Sequence, residues 1–362
     1  MNTHENRKKI LQISSYPPPR AGWGVRVEFL KKHLEADGHQ CVVLNVGRNR
    51  TTPSSEYETV MSGFDYVRKV WRFSRDGYVV HMHVNGESPK GFVLTLLAEI
   101  LNLLAGNRCV ITFHAGVEQV YFPRSKCPWL WPMYWLIFLI PRTIICNSEA
   151  VKAKIQEYAV PASKIIPIPA FTRQYLEFLP VDLPPHVEQF YKRFRNVVLT
   201  YIRIREGFYL DELLEGFAIL ARTSPEIGLA FCGVSGDVDE GIWDHVQKTM
   251  TRLGLTDRIC VIDDLGHDAF RVALSRSALY LRTPTTDGVA SSVLESLALK
   301  VPVVAAENGS RPAGVVTYVA TDPRDMAAVV ERVLANRDRV IAAFPTVEIP
   351  DTLIDEVRLL TA

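Results

Sequence analysis

Residues 278–305 have the sequence ALYLRTPTTDGVASSVLESLALKVPVVA. The two apolar ends, 278–281 and 301–305, are typical of buried strands, and residues 291–299 between them have the apolar spacing of a helix. A strand, a helix and a second strand in this order form two parallel neighbours of one sheet. The segment therefore predicts a parallel sheet covered by helices.

The same alternation continues on both sides of this segment. In the second half of the chain, strands are predicted at 196–201, 227–232 and 259–262, and helices at 211–222, 242–253, 268–275 and 325–335. In the first half, strands are predicted at 10–13, 41–44, 78–82, 109–113 and 143–146, and helices at 89–104 and 129–140. The pattern predicts an α/β fold of two doubly wound, Rossmann-like halves.

A proline-rich interval separates these halves. Residues 171–195 contain Pro180, Pro184 and Pro185 and show little strand pattern. A chain of 362 residues also exceeds the length at which a single core is efficient. We therefore expect four segments: an N-terminal domain at 1–178, a linker at 179–195, a second domain at 196–340, and a tail at 341–362 whose helix returns to the first domain.

Composition limits the classes of function and location. Lys and Arg number 41 against 40 Asp and Glu, a formal net charge of +1 that does not favour nucleic acid as a partner. The six cysteines form no C-x-x-C pair and lie mostly in apolar runs, which indicates buried, reduced thiols. The N-terminus lacks a signal-peptide pattern, and no segment reaches the ~18–20 apolar residues of a bilayer span. We expect a cytoplasmic protein, with peripheral membrane contact left open.

Within residues 278–305, the turn that precedes the helix contains the candidate binding residues. Small residues from Gly288 to Ser292 leave backbone N–H groups unpaired at a helix start, which favours an anion such as a diphosphate. Asp287 and Glu295 flank the turn at a separation of at most ~12 Å, similar to the span from sugar to ribose in a nucleotide-diphosphosugar. The spacing alone is equally compatible with a capping Asp and an exposed helical Glu.

Several motifs together resemble the GT-B-fold retaining glycosyltransferases, in particular the large family 4 group (glycosyl transferases group 1). That family's signature is Glu, seven residues and Glu, then a helix that ends in a Pro-Val-Val-like string. Here Asp287, seven residues and Glu295 are followed by residues 296–304, SLALKVPVV. Further segments that look like the family are 17–24, 38–42, 80–83, 113–114, 144–148 and 231–236. The resemblance covers most of the chain.

The resemblance implies two domains that face a central cleft, with the acceptor on the N-terminal side and the nucleotide-diphosphosugar on the C-terminal side. Asp287 and His114 would act at the reacting sugar, and His83 would lie on the acceptor side. The donor-binding residues would be Arg203, Arg205, Gly288, Val289, Ala290, Ser291, Ser292, Glu295, Gly22 and Gly24. No metal or other cofactor is expected, because the family commonly works without one and no cluster here has metal-ligand spacing.

Three departures from the family pattern concern the donor side. Asp287 is one methylene shorter than the usual Glu. In residues 203–207, RIREG, Arg203 fits the family's Arg, but Glu206 occupies the slot of a Lys that contacts the diphosphate, which leaves Arg205 as a second positive charge. In the loop 309–312, GSRP, Arg311 is a further candidate phosphate contact.

The histidines also have a plain alternative, since a single His at a strand end is often a buried structural residue. The resemblance favours a substrate role for His114, near the reacting sugar. Of the pair His81 and His83, we expect His83 to face the ligand and His81 to face the opposite side of the sheet.

Residues 128–140, PWLWPMYWLIFLI, are apolar on every side of the predicted helix. They fit a helix buried against the sheet. They also fit an interfacial patch in which Trp129, Trp131 and Trp135 meet a membrane that carries a lipid-linked acceptor, with Arg124, Lys126 and Arg142 as flanking charges.

The sequence therefore predicts a retaining hexosyltransferase that moves a sugar from a nucleotide-diphosphosugar to a hydroxyl of a glycan or a lipid-linked saccharide, in cell-surface polysaccharide synthesis. Two alternatives stay open. One is a sugar-nucleotide 2-epimerase, which shares the GT-B architecture. The other is a catalytically silent GT-B subunit that binds a partner, which Glu206 favours.

Overall fold

The computed structural model describes residues 7–17, 22–117, 119–234, 238–263, 265–286, 290–345 and 349–362. The chain divides into two compact units. Unit 1 comprises Met1–Thr172 and Pro350–Ala362, and unit 2 comprises Arg173–Ile349. Unit 1 thus ends a few residues before the expected boundary at 178, and the last segment of the chain belongs to it.

Unit 1 is built on a six-stranded, wholly parallel sheet in the order β2-β1-β3-β4-β5-β6. Its strands are β1 (Lys9–Ser14), β2 (Gln40–Asn45), β3 (Val79–Val84), β4 (Val110–Phe113), β5 (Thr143–Cys146) and β6 (Ile165–Pro167). Its helices are α1 (Gly22–Ala36), α2 (Gly63–Arg75), α3 (Pro89–Leu104), α4 (Trp131–Leu139) and α5 (Glu149–Gln156).

Unit 2 has a second six-stranded parallel sheet in the order β12-β11-β10-β7-β8-β9. Its strands are β7 (Asn196–Tyr201), β8 (Ile227–Cys232), β9 (Ile259–Ile262), β10 (Leu279–Arg282), β11 (Val303–Ala306) and β12 (Val315–Tyr318). Its helices are α6 (Pro185–Arg193), α7 (Leu210–Thr223), α8 (Glu240–Arg252), α9 (His267–Arg276), α10 (Ser291–Ala298), α11 (Pro323–Ala335) and α12 (Arg337–Ala342). The last helix of the chain, α13 (Thr352–Thr361), packs on α1 in unit 1.

The expected linker 179–195 differs from what the sequence pattern suggested, because most of it is helix α6. Val187 and Phe190 of α6 are buried in the core of unit 2. The contact is close: a Cβ added to Gly228 of β8 would lie 2.7 Å from the Phe190 ring. Tertiary packing has therefore given this proline-rich segment a fixed place on the sheet.

Strands that are buried on both faces are continuous apolar runs, so the sequence pattern predicts them well. The predicted strands 143–146, 196–201 and 259–262 and the predicted helix 89–104 are confirmed residue for residue. Helix α2 and the short strands β6 and β12 were not predicted. Helix α1 begins at Gly22, even though glycine is unfavourable within a helix and two glycines lie in its first turn.

Each sheet has a point at which its strand order reverses, and loops that leave strands there diverge and open a crevice. In unit 1 this point lies between β1 and β3, and in unit 2 between β7 and β10. Ligands of open α/β sheets bind at the carboxyl ends of such strands. These two strand pairs are therefore where functional side chains are expected.

Candidate functional site

Helix α10 begins in unit 2 as the sequence predicted, at Ser291. Asp287, Gly288 and Val289 lie outside the described residues. Ala290 precedes the helix and makes no side-chain capping bond, so among the described residues no N-cap side chain binds the first backbone N–H groups of α10. The Tyr280 hydroxyl donates to Ser292 Oγ at 2.6 Å, which fixes the first turn of the helix to β10.

Glu295 of α10 is 4% exposed and forms a buried ion pair. Its Oε1 accepts from Arg271 Nη2 of α9 at 2.5 Å, and Arg271 Nε donates to the Tyr175 carbonyl at 3.0 Å. Within the described part of the chain, Oε2 of Glu295 makes no hydrogen bond. Burial raises the pKa of Glu295 to about 7, against the lowering by Arg271. Glu295 is thus not the exposed helical glutamate that its spacing alone allowed.

Arg203 follows β7 at the point where the strand order of unit 2 reverses. Its guanidinium donates to the Gly233 carbonyl at 3.0 Å and to the Tyr201 hydroxyl at 2.7 Å, both neutral oxygens. Gly233 has a φ of +86°, and a Cβ there would lie 2.8 Å from the Tyr201 ring. The glycine therefore lets its carbonyl approach Arg203 closely.

Arg203 and Glu295 belong to one cluster of contacts. The Tyr201 ring packs edge-on against Phe270 at 5.9 Å, and the Arg271 guanidinium lies 5.4 Å from the Phe270 ring. The chain of contacts thus runs from Arg203 through Tyr201, Phe270 and Arg271 to Glu295. Two residues predicted for donor binding are thus linked through three intervening side chains, on elements that are far apart in sequence.

Arg205 and Glu206 lie in an exposed turn that ends at Gly207, whose φ is +83°. The Arg205 guanidinium lies 5.6 Å from the Phe208 ring centroid. Both side chains are open to solvent.

In unit 1, the predicted residues His83 and His114 contact each other. His83 lies on β3 and His114 directly follows β4. His83 Nδ1 lies 2.9 Å from His114 Nε2, and His83 Nε2 lies 2.8 Å from Gln12 Oε1 of β1. Because the Gln12 oxygen can only accept, His83 donates from Nε2 and accepts at Nδ1 from His114 Nε2. His114 is left with Nδ1 as an acceptor.

The expectation that His81 faces away from His83 is wrong. Residues two apart on a strand share a face, and the two rings lie 4.3 Å apart. His81 is fully buried, with Nε2 2.7 Å from Thr112 Oγ1 and 3.7 Å from Glu356 Oε1 of α13. It belongs to the packing of α13 onto the sheet rather than to a ligand site.

All three histidines are neutral at pH 7. Burial lowers the pKa of His81 to about 3. Burial, and then the neighbouring histidine, lowers the pKa of His83 and of His114 well below 6.5. The polar group of unit 1 therefore offers hydrogen bonds without charge, as a neutral, hydroxyl-rich ligand requires.

The comparisons with known proteins concern the family and the fold of the chain. Residues 21–172 match the family model described as Glycosyltransferase Family 4, and residues 188–341 match the one described as Glycosyl transferases group 1. The chain belongs to the family 4-like, group 1 glycosyltransferases. No curated protein matches it at a significant level.

Solved structures share the fold of this glycosyltransferase over nearly its whole length. HepE of Anabaena, solved with UDP, has 14% identity and a TM-score of 0.65, with 97% of this chain and 98% of that chain covered. A glycosyltransferase from Rickettsia africae has 17% identity and a TM-score of 0.67, with 98% of each covered. A Listeria monocytogenes protein described, without confirmation, as a UDP-N-acetylglucosamine 2-epimerase has 13% identity and a TM-score of 0.65, with 98% and 95% covered. The shared fold is GT-B, with two Rossmann-like halves.

Two further arginines of the glycosyltransferase lie at or after the carboxyl ends of central strands in unit 2, and the first of them joins the group near Arg203. Arg282 ends β10, donates to the Tyr201 carbonyl at 2.9 Å and lies 5.7 Å from the Phe208 ring. Sequence analysis missed it, although its place at the carboxyl end of a central strand was a usable signal. Arg311 donates to the Ala306 and Pro284 carbonyls, so it braces the loop that follows β10.

Gly22 and Gly24, predicted for donor binding, lie in the first turn of α1 rather than in the loop before it. Between them, Trp23 packs its ring edge against His114 at 4.8 Å. The start of α1 therefore lies beside the histidines of the glycosyltransferase, and Trp23 is a contact that sequence analysis did not single out.

No metal site is found in the parts of the glycosyltransferase that the structure describes: no three His, Cys, Asp or Glu side chains there are grouped to hold an ion. Over the same residues, no helix has the length and hydropathy needed to cross a bilayer.

Proposed function

We propose that this glycosyltransferase is a retaining hexosyltransferase. It takes a sugar from a nucleotide-diphosphosugar and transfers it to a hydroxyl of a glycan or lipid-linked saccharide, in the synthesis of cell-surface polysaccharide. The observation that carries the proposal is the cluster that joins Arg203 and Glu295 through Tyr201 and Arg271 in unit 2.

The donor's diphosphate is assigned to Arg203 and to the first N–H groups of α10. When the bond to the sugar breaks, negative charge builds on the phosphate that leaves. A guanidinium and a helix N-terminus stabilise this charge more in the transition state than in the ground state. Arg282 and Arg205 extend the positive potential, which offsets the loss of the family's Lys at Glu206.

The donor's ribose is assigned to Glu295. Arg271 holds one carboxylate oxygen, and Oε2 is the acceptor for a ribose hydroxyl. An ionised carboxylate accepts such a bond more strongly than a protonated one. Since the pKa of Glu295 is about 7, the arrival of the ribose and the loss of the carboxyl proton favour each other.

Of the two residues expected at the transferred sugar, Asp287 lies outside the described residues, and His114 is the one whose surroundings support the proposal. His114 Nδ1 is a neutral acceptor for a sugar hydroxyl, with its ring held by His83 and Trp23. In the proposed step, the acceptor oxygen bonds to the anomeric carbon on the face that the diphosphate leaves. The acceptor's proton passes to a departing phosphate oxygen, so the configuration is retained and no protein base is required.

The test is the stereochemistry of the product. The chain is incubated with UDP-, GDP- and ADP-hexoses and a panel of glycan and lipid-linked acceptors, and products are followed by NMR of the anomeric proton. An α-linked product from an α-linked donor is expected. The rate of sugar transfer should be lost in Arg203→Ala and kept in Arg222→Ala, which changes an exposed arginine on α7. An inverted product would overturn the retaining assignment, and a 2-epimer formed without acceptor would replace transfer by epimerisation.

A silent GT-B subunit is the second candidate, favoured by the carboxylate of Glu206 next to Arg205. Glu206→Lys restores the charge of the family's pattern. If the natural chain is a weakened binder, this variant should bind nucleoside diphosphates more tightly and turn over donor that the natural chain leaves intact. Measurable transfer by the natural chain would exclude the silent subunit.

A further inference from the structure

Three helices of unit 1 carry a surface that the proposed reaction does not use. α3 packs between α2 and α4 on the sheet. The outer side of α3 is an aliphatic stripe at helical spacing, made of Val93, Leu97, Ile100 and Leu104, and Leu104 is 71% exposed. Exposed apolar side chains usually occur singly, and a continuous stripe marks an interaction surface.

The neighbouring helix α2 presents a different stripe with the same spacing. Phe64, Arg68, Trp71 and Arg75 follow one another along its outer side, and Phe64 is 79% exposed. The Arg75 guanidinium lies 6.0 Å from the Trp71 ring. Aromatic rings that alternate with arginines are typical of a helix at the boundary between hydrocarbon and lipid headgroups.

The third helix, α4, has one buried and one open side. Tyr134, Ile137 and Phe138 enter the core, as one interpretation of residues 128–140 expected. The open side carries the exposed Leu136 and Leu139. Trp131 and Trp135 are partly buried and stack at 6.0 Å, and the Arg124 guanidinium lies 5.3 Å from the Trp131 ring. Trp129, just before α4, is 70% exposed.

Cations outnumber acids on this surface, although Arg68 pairs with Asp65 at 3.6 Å and Arg72 with Glu58 at 3.9 Å. The only acids within α2, α3 and α4 are Asp65, which pairs with Lys69 at 3.3 Å, and Glu99, which is fully buried. The exposed cations on or beside the helices are Arg68, Arg72, Arg75, Lys90, Arg108, Arg124 and Lys126. Exposed acids occur just beyond the helix ends, at Asp76 and Glu87. An anionic partner is therefore favoured.

We propose that the outer faces of α2, α3 and α4 form a docking surface for a bilayer that contains anionic lipids. The aliphatic stripe of α3 enters the hydrocarbon, while the arginines of α2 and the tryptophans beside α4 lie at headgroup level. A second copy of the chain fits less well, because a two-fold axis would bring the same arginines against each other. The biological purpose of this docking, the delivery of a lipid-linked acceptor, rests on the proposed function. Membrane binding itself does not require sugar transfer.

The test is co-sedimentation of the full chain with vesicles. Phosphatidylcholine vesicles with 30% phosphatidylglycerol should capture the chain, capture should weaken as salt rises, and pure phosphatidylcholine should capture little. Leu97→Ser/Leu104→Ser and Arg68→Gln/Arg72→Gln/Arg75→Gln should each reduce the bound fraction about tenfold. Ile219→Ser/Val319→Ser, which alters exposed apolar residues of unit 2, should leave it unchanged.

Two further measurements separate the outcomes. Circular dichroism melting checks that each variant is folded, and nucleotide binding, which belongs to unit 2, should be equal in all of them. Failure to capture the natural chain on anionic vesicles overturns the docking surface even if sugar transfer is found. A dimer that forms with rising concentration and is lost in Leu97→Ser/Leu104→Ser would also overturn it, in favour of a second copy. Capture without any nucleotide binding would keep the surface and reject the proposed function.

Discussion

Each unit contains a buried arginine–glutamate pair, and the two pairs differ in how completely the carboxylate is enclosed. In unit 1, Arg26 of α1 binds Glu356 Oε2 of α13 at 2.6 Å, and Thr112 Oγ1 lies 3.5 Å from Oε1. In unit 2, Arg271 binds Glu295 Oε1 at 2.5 Å, and Oε2 makes no hydrogen bond to any residue that the structure describes.

This difference separates a structural pair from the pair that we propose binds the donor. Glu356 is fully buried with partners on both oxygens, so it joins α13 to the sheet and has no bond left for a ligand. Glu295 has one oxygen to offer, at the end of the contacts that lead to Arg203. A buried carboxyl whose pKa is raised to about 7 and that keeps one acceptor oxygen without a protein partner among the described residues is a candidate for a functional role.

The largest effect is expected in the structural pair. Arg26→Met leaves the Glu356 charge buried without its partner, which should lower the free energy of unfolding by about 3–5 kcal/mol. Arg271→Met should cost clearly less, because the Glu295 carboxyl, with its pKa near 7, can take up a proton. Urea unfolding of both variants measures this. Equal losses in the free energy of unfolding would mean that both arginine–glutamate pairs are structural.

The next effect concerns ligand affinity. Glu295→Gln weakens the acceptor for the ribose, so affinity for the bound nucleoside diphosphate should fall by about 1.5–3 kcal/mol, roughly 10–150-fold. Calorimetric titration gives the value. The matched change Glu356→Gln should lower stability and leave affinity as it was. The distinction breaks down if Glu356→Gln affects affinity as strongly as Glu295→Gln.

A smaller effect is a response to pH of opposite sign in the two units. The histidines of unit 1 have pKa values below the unfolded 6.5, so the unfolded state binds more protons, and unit 1 loses stability as pH falls below 6.5. The pKa of Glu295 is raised from 4.5 to about 7, so unit 2 gains stability as pH falls through that interval.

Hydrogen exchange of peptides from each unit at pH 7.0 and 5.5, corrected for intrinsic rates, measures this response. Protection should fall in unit 1 and rise in unit 2. Glu295→Gln should abolish the rise. A change of the same sign in both units would contradict the assignment of these groups.

The smallest effect tests how His114 is held. Gln12→Met removes the acceptor that orients His83, which is worth about 1 kcal/mol, so kcat/KM should fall about fivefold while nucleotide affinity stays unchanged. Thr112→Val removes the hydrogen bond of His81 and should affect stability only. If both variants lower kcat/KM alike, the distinction between His81 and His83 is lost.

The sequence predicted what depends on local pattern. The start of α10 at Ser291 followed from a turn of small residues, and the sheets followed from buried strands that are apolar throughout. The places of His114, Arg203 and Glu295 came from motifs at strand ends. The common face of His81 and His83 was available from the period of a strand and was missed.

What could not be predicted depends on contacts between distant elements. Nothing in α9 marks Arg271 as the partner of Glu295, and nothing in the tail marks Glu356 as the partner of Arg26, 330 residues away. Helix α6 was hidden by its prolines, because its stability comes from packing on Gly228 and not from local propensity.

The central claim is that unit 2 binds a nucleoside diphosphate through Arg203. Calorimetric titration of UDP, GDP and ADP into the natural chain, Arg203→Ala and Arg222→Ala tests it most directly. We expect one of the three to bind at one site per chain, with affinity about 100-fold lower in Arg203→Ala and unchanged in Arg222→Ala. Equal affinity in Arg203→Ala, or no binding of any of the three to the natural chain, would contradict the claim.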